Sequence, residues 1–158
     1  MDIGAAGMGG VYLVLHGGDG MVMKRTAKDI MTATVIMAKE DMLVTDLMKL
    51  LLRWHISGVP VVDDDGMLLG IITEHDVMNF ALSGNAASTI ASEVMTKQVE
   101  TYSPDTLVVE IINHFAARRI RRVPVVEDGK VVGIISRRDI VREMDRIYSR
   151  LVAREETE

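Results

Sequence analysis

The sequence predicts an α+β fold assembled from two copies of one βαββα-type unit. Three recurrences predict it. Asp29-Ile30-Met31-Thr32 returns as Glu93-Val94-Met95-Thr96, and Val59-Pro60-Val61-Val62 returns as Val123-Pro124-Val125-Val126, both at an offset of 64 (95−31, 124−60). Gly70-Ile71-Ile72-Thr73-Glu74-His75-Asp76 returns as Gly133-Ile134-Ile135-Ser136-Arg137-Arg138-Asp139, at an offset of 63 (133−70). The lost residue falls in a turn, where Asp63-Asp64-Asp65-Gly66 shortens to Glu127-Asp128-Gly129 and a deletion costs least. Self-similarity at a fixed period marks a duplicated structural unit.

The elements follow in chain order. Residues 1–27 form a leader; within it, residues 1–22 match neither copy. Gly4, Gly7, Gly9 and Gly10 precede the strand-like Val11 to Leu15, whereas a dinucleotide-binding loop follows a strand and opens a helix. A flexible leader, an extra edge strand and a true start at Met21 or Met23 remain open for this stretch.

The first repeat spans residues 28–84 and the second 92–150, with residues 85–91 as linker. After each Met-Thr segment an extended stretch is expected, Thr34 to Met37 and Gln98 to Tyr102. A helix then follows, because Leu43, Leu47, Leu50, Leu51 and Trp54, and likewise Leu107, Val108, Ile111, Ile112 and Phe115, recur at helical spacing. Ser103-Pro104-Asp105 offers a cap, a proline for the first turn and a carboxylate for the positive dipole end, and Glu40-Asp41 supplies the charge in the first copy. Two β-branched runs around Asp-Gly predict an antiparallel hairpin. The glycine-led strand runs directly into a second helix, closed in the first copy by Ser83-Gly84. The last helix carries a longer apolar stripe, Ile140, Val141, Met144, Ile147, Tyr148 and Leu151, for its own core or for a partner subunit, ahead of an acidic tail over residues 151–158.

Composition narrows the function classes. With 48% hydrophobic and 26% charged residues, the chain has enough apolar surface for a core without staples. It has no cysteine, which removes disulfides, thiolate metal sites and cysteine nucleophiles and suits a reducing, cytoplasmic setting. No apolar run approaches the roughly 18 residues of a membrane span. The net charge of −5 disfavours general nucleic-acid binding. The four histidines are scattered, and neither a metal-ligand spacing, a P-loop nor a nucleophile elbow occurs, so no catalytic residue and no metal site is expected.

Taken together, the Met-Thr start, the x-Val-Pro-Val-Val strand and the Gly-Ile-Ile-[Ser/Thr]-x-x-Asp junction, three motifs in one order twice over, resemble the tandem cystathionine-beta-synthase-type (CBS) domain pair, or Bateman module, over about residues 28 to 146. The resemblance implies two CBS repeats with pseudo-twofold symmetry in a compact disc. It also implies clefts between them that bind an adenosine-containing ligand (AMP, ADP, ATP or S-adenosylmethionine) in a regulatory, non-catalytic capacity.

Residues alone leave the junction open between two roles. Thr73-x-x-Asp76 and Ser136-x-x-Asp139 match capping boxes. A carboxylate at a helix start also accepts both hydroxyls of a ribose, and the free N–H groups there suit a phosphate. The resemblance assigns ribose to Asp76 and Asp139 and the ribose-phosphate to Thr73 and Ser136. It assigns the adenine wall to Val59, Pro60, Val123 and Pro124, with Val35 and Val99 nearby; ordinary core is the competing role for all six. Phosphate contacts fall to Arg121 and Arg122 and to Arg137 and Arg138, whose guanidinium forks suit phosphate oxygens, against the alternative of a solvated surface run. The first copy has Ser57-Gly58 and Glu74-His75 at the matching positions, so the two clefts are expected to be unequal. A homodimer and a separate effector protein are the expected partners. Two other classes stay open: a nucleic-acid or transcription regulator using Arg118 to Arg122, and a pure dimerisation or assembly module.

Overall fold

A computed structural model describes residues 24–157. Most of the expected leader, with Val11 to Leu15, Met21 and Met23, therefore lies outside the described residues. The elements are α1 (Ala27–Ile30), β1 (Ala38–Lys39), α2 (Val44–Trp54), β2 (Gly58–Val62), β3 (Leu68–Thr73) and α3 (Glu74–Leu82), then α4 (Ala91–Val94), α5 (Val108–Ala117), β4 (Arg122–Glu127), β5 (Lys130–Ser136) and α6 (Arg137–Glu155). Mixed helices and strands in two sister sets make the fold α+β.

Each repeat is built on its hairpin. β2 pairs antiparallel with β3 and parallel with β1; β4 pairs antiparallel with β5, and Tyr102 bridges Val125 in parallel where β1 stands in the first copy. The turn between β4 and β5 puts Asp128 at φ +52 and Gly129 at φ +80, the positive pair that a two-residue Asp-Gly hairpin needs. In the longer first turn Asp63 Oδ1 accepts from the amides of Asp65 and Met67, each at 2.9 Å, and Gly66 takes the positive φ.

The repeats exchange their leading segments. Thr32 bridges Ile134 in β5, and its sister Thr96 bridges Ile71 in β3; Thr26 bridges Leu107, and its sister Ile90 bridges Leu43. Every bridge thus has a counterpart with the two repeats interchanged, which is the pseudo-twofold relation, and Met67 with Lys130 pairs the two hairpin ends across it. The cores are exchanged as well. Ala91 and Val94 of α4 are buried with Val44, Leu47, Val59, Val61 and Ile72, while Ala27 of α1 is buried with Ile111, Val123, Val125 and Ile135. Gly133 and Gly70 allow this: a Cβ on Gly133 would strike Met31, and one on Gly70 would lie 2.8 Å from the Thr96 carbonyl oxygen.

Some details differ from the expectations. The ladder takes up Ala38 and Lys39, just after the extended stretch expected over Thr34 to Met37, and in the second copy only Tyr102 of Gln98 to Tyr102 bridges. Ser103-Pro104-Asp105 does not cap a helix, and the Glu40-Asp41 charge falls ahead of the first turn, because α5 and α2 start at Val108 and Val44 after Leu107 and Leu43, without a side-chain cap. Their first amides donate instead to carbonyls of the exchanged segments, Val44 to Thr89 and Val108 to Arg25, each at 2.9 Å. Ser103-Pro104-Asp105 forms a turn whose Pro104 carbonyl receives the amide of Lys28. The α6 stripe divides: Ile147 is buried with Ile140, Met144 and Leu151 packed around it, whereas Val141, Tyr148 and Val152 are more than half exposed. The helix itself runs on to Glu155, through most of the expected tail.

Candidate functional site

Both strand-to-helix junctions form as the sequence reading required. In the first, Thr73 donates its amide and hydroxyl to Asp76 Oδ2 at 2.8 and 2.9 Å, and the Asp76 amide donates back to Thr73 Oγ1 at 3.3 Å. In the second, Ser136 donates its amide and hydroxyl to Asp139 Oδ2 at 2.8 and 3.0 Å. Capping therefore occurs in both copies. The copies differ in the other oxygen: Asp139 Oδ1 accepts from Arg142 at 3.0 Å, and Asp139 is buried where Asp76 is half-buried.

Asp139 opens onto a cleft of about 480 Å³ between the repeats. Val35, Arg121, Arg122, Ser136, Arg137 and Arg138 line it with Asp139, so the expected residues converge from three elements and both repeats. Sequence reasoning missed Thr32, Thr34, Ile36, His55, Ile56 and Ile134, which complete the walls. Thr32 and Ile134 belonged to motifs already quoted; His55 had no signal, since its role follows from the left-handed turn (φ 52) that ends α2.

The adenine wall expected from Val59, Pro60, Val123 and Pro124 forms only in part: Val123, with Val99, lines a second cleft. All four are buried in β2 and β4, and none lines the first cleft, beside Asp139. Val35, Ile36, Ile56 and Ile134 form its apolar side instead.

The second cleft is divided. One cavity, about 570 Å³, is lined by Gln98, Val99, Glu100, Ile120, Val123 and Arg122; the other, about 480 Å³, by Ser57, Thr73, Glu74, His75, Arg121 and Arg122. Arg122 belongs to both, and its guanidinium donates to Ser57 Oγ between them. Burial first, then Arg121, pull this guanidinium below its usual range; Glu74 opposes and Arg137 adds to the pull. An arginine stays cationic regardless.

The arginine run does not form one face. Arg118 pairs with Glu100, Arg122 turns inward, and the neighbouring Arg137 donates its Nε to the Ile120 carbonyl at 2.8 Å. Beside the second cleft, Tyr102 and His114 Nδ1 share a 2.5 Å hydrogen bond, and His114 Nε2 lies 3.3 Å from Glu100. Burial and the Glu100 charge push the Tyr102 phenol up, with Arg118 opposing, so this hydroxyl stays neutral. Among the described residues no group of three or more His, Cys, Asp or Glu is placed to hold a metal ion, and no helix is long and apolar enough to cross a membrane.

The comparisons agree with this architecture. The family model of the CBS domain matches residues 27–83 and 91–146. Inosine-5'-monophosphate dehydrogenase of Methanocaldococcus jannaschii is 33% identical over 119 residues, which are 75% of this chain and 23% of that protein. The crystal structure of the CBS domain pair of protein MJ0100, in complex with 5'-methylthioadenosine and S-adenosyl-L-methionine, superposes with a TM-score of 0.67 at 34% identity, covering 76% of this chain and 99% of that one. The CBSX2 structure in complex with AMP, a protein of Arabidopsis thaliana, gives 0.69 at 26% identity, over 78% and 98%. The first curated relatives are longer proteins, of which the chain spans 41%, 22% and 23%.

Proposed function

We propose, from the premise that this chain belongs to the CBS domain family and carries a tandem pair of its domains, that it senses an adenosine-containing ligand in the first cleft. A CBS pair is a regulatory, non-catalytic module, although some relatives are enzymes that contain one. The observation that carries the ligand class is the meeting of three chemistries in one cavity of about 480 Å³: the Ser136–Asp139 junction, an apolar side at Val35, Ile36 and Ile56, and the cations of Arg121, Arg122, Arg137 and Arg138. An adenine seeks the apolar side, a ribose the carboxylate and a phosphate the guanidinium forks. Asp139 is engaged by Arg142, but that side chain is largely exposed, so water takes up the guanidinium when a ribose hydroxyl replaces it at the carboxylate. That relatives crystallised with AMP or with S-adenosylmethionine share the fold supports the same ligand class.

AMP, ADP and ATP rank above S-adenosylmethionine for this cleft, because four arginines with one acid favour an anion. Binding regulates only by differing between two conformations of the module, so the output passes to an effector protein or to self-association. A homodimer fits the exposed Leu52, Trp54, Met78 and Leu82 of α2 and α3 and Val141 and Tyr148 of α6. A cytoplasmic setting belongs to the same proposal and is supported by the lack of cysteine. Nucleic-acid binding through Arg118 to Arg122 is disfavoured by the dispersal of those side chains. Isothermal titration against AMP, ADP, ATP and S-adenosylmethionine tests the reading: heat from at least one nucleotide is expected, and silence from all four would reduce the chain to an assembly module.

A further inference from the structure

Arg122 stands where the two clefts meet, lining the first cleft and both cavities of the second. Three features hold it there. Its sister position is Gly58, where a Cβ would strike the Arg122 guanidinium, so the arginine fills room that only the divergence of the two copies leaves open. Its guanidinium donates to Ser57 Oγ, the sister position of Arg121. Of the charges around it, Arg121, on both clefts, repels it most, Glu74, on the second, attracts it, and Arg137, on the first, repels it.

We infer that Arg122 plugs the second cleft and that a phosphate-bearing ligand in the first cleft withdraws it, so that filling the first cleft opens the second. The inference rests on the adenosyl reading above. A ligand reaching from Val99 to Thr73 must first displace the guanidinium that separates the two cavities. An anion seated beside Arg121, Arg137 and Arg138 reverses the local field, turning repulsion of Arg122 into attraction. The guanidinium then exchanges one hydrogen bond to a neutral hydroxyl for bonds to an anion, which its planar fork can make bidentate. Displacement supplied by the first ligand need not be supplied by the second, and the coupling is reciprocal.

The test follows each cleft by its own isoleucine methyl in NMR titrations with AMP, Ile36 for the first cleft and Ile120 for the second. In the wild type both respond. Asp139→Ala, which impairs the first cleft, should weaken binding seen at Ile120 by about tenfold or more, within the usual range of coupling. In an Arg122→Met background the plug is gone, and the same Asp139→Ala change should leave Ile120 unaffected. Ser57→Ala removes only the anchor and should act in the same direction with a smaller effect, which keeps the test informative if Arg122→Met fails to fold. An Ile120 affinity indifferent to Asp139→Ala would overturn the plug, as would a loss that persists in Arg122→Met and Ser57→Ala alike; the adenosyl reading survives both results. Silence at both methyls overturns that reading and the plug with it.

Discussion

Asp139 uses one oxygen to hold the Ser136 amide and hydroxyl and the other to meet Arg142, so capping occupies only part of the carboxylate. Removing it affects both tasks on different scales. Asp139→Ala should weaken AMP by about tenfold or more, since a hydrogen bond to a charged group is worth roughly 1.5–3 kcal/mol, and should cost about 1 kcal/mol of stability as the lost acid of a capping box. Calorimetric affinity and thermal melting separate the two; an unchanged affinity with a lowered Tm would leave Asp139 a cap alone. A few residues on, Glu143 is buried between Arg25, at 3.0 Å, and Arg146, at 2.6 Å. Burial raises its carboxyl, but the hydrogen bonds from Arg146 and Arg25 outweigh it and hold the group below its ordinary value of 4.5. A lowered folded-state pKa contributes stability above the unfolded value, and that stability is lost as pH falls through the folded one. Denaturant titrations at pH 7 and pH 3 should show Glu143→Gln less stable than wild type at pH 7, by about 1–3 kcal/mol, with the gap narrowing at pH 3. A gap equal at both values would contradict the ion-pair account.

The exchanged segments α1 and α4 decide how the elements hold together. Each buries its alanine in the other repeat's core, and the residue two before that alanine hands its carbonyl to the other repeat's helix start. A chain divided between residues 84 and 85 should therefore yield two pieces that elute as one complex in size-exclusion chromatography after co-expression. Two pieces that each fold and elute alone would contradict the exchange. This exchange also marks the limit of what the sequence made legible. Hairpins, helical stripes and both capping boxes were readable because their determinants are local: β-branched runs around Asp-Gly, apolar spacing, and a hydroxyl three residues before an acid. The failed cap at Ser103-Pro104-Asp105 and the misplaced charge at Glu40-Asp41 were not, because the helix starts are held by Arg25 and Thr89, which lie far off in sequence. The candidate site divides in the same way. Ser136, Asp139 and the arginines stood in repeated or conspicuously divergent motifs, whereas His55 and Ile36 reach the cleft only through the turn after α2 and the entry to β1. Val59 and Pro60 misled because a valine-proline strand signals burial equally well beside a cavity and deep in a sheet.

For the whole molecule, duplication supplies two sister clefts and divergence makes them unequal. The first gathers Arg137 and Arg138 where the second has Glu74 and His75, and Arg122 crosses only the second. The expected consequence is a phosphorylated ligand in the first cleft and a harder entry to the other. The most direct test is a crystal structure of the chain with AMP. The ribose hydroxyls should lie within hydrogen-bond distance of the Asp139 carboxylate, with the base against Val35 and Ile56 and the phosphate among the arginines. AMP bound elsewhere, or an Asp139 still committed wholly to Ser136 and Arg142 with the cleft empty, would contradict the account.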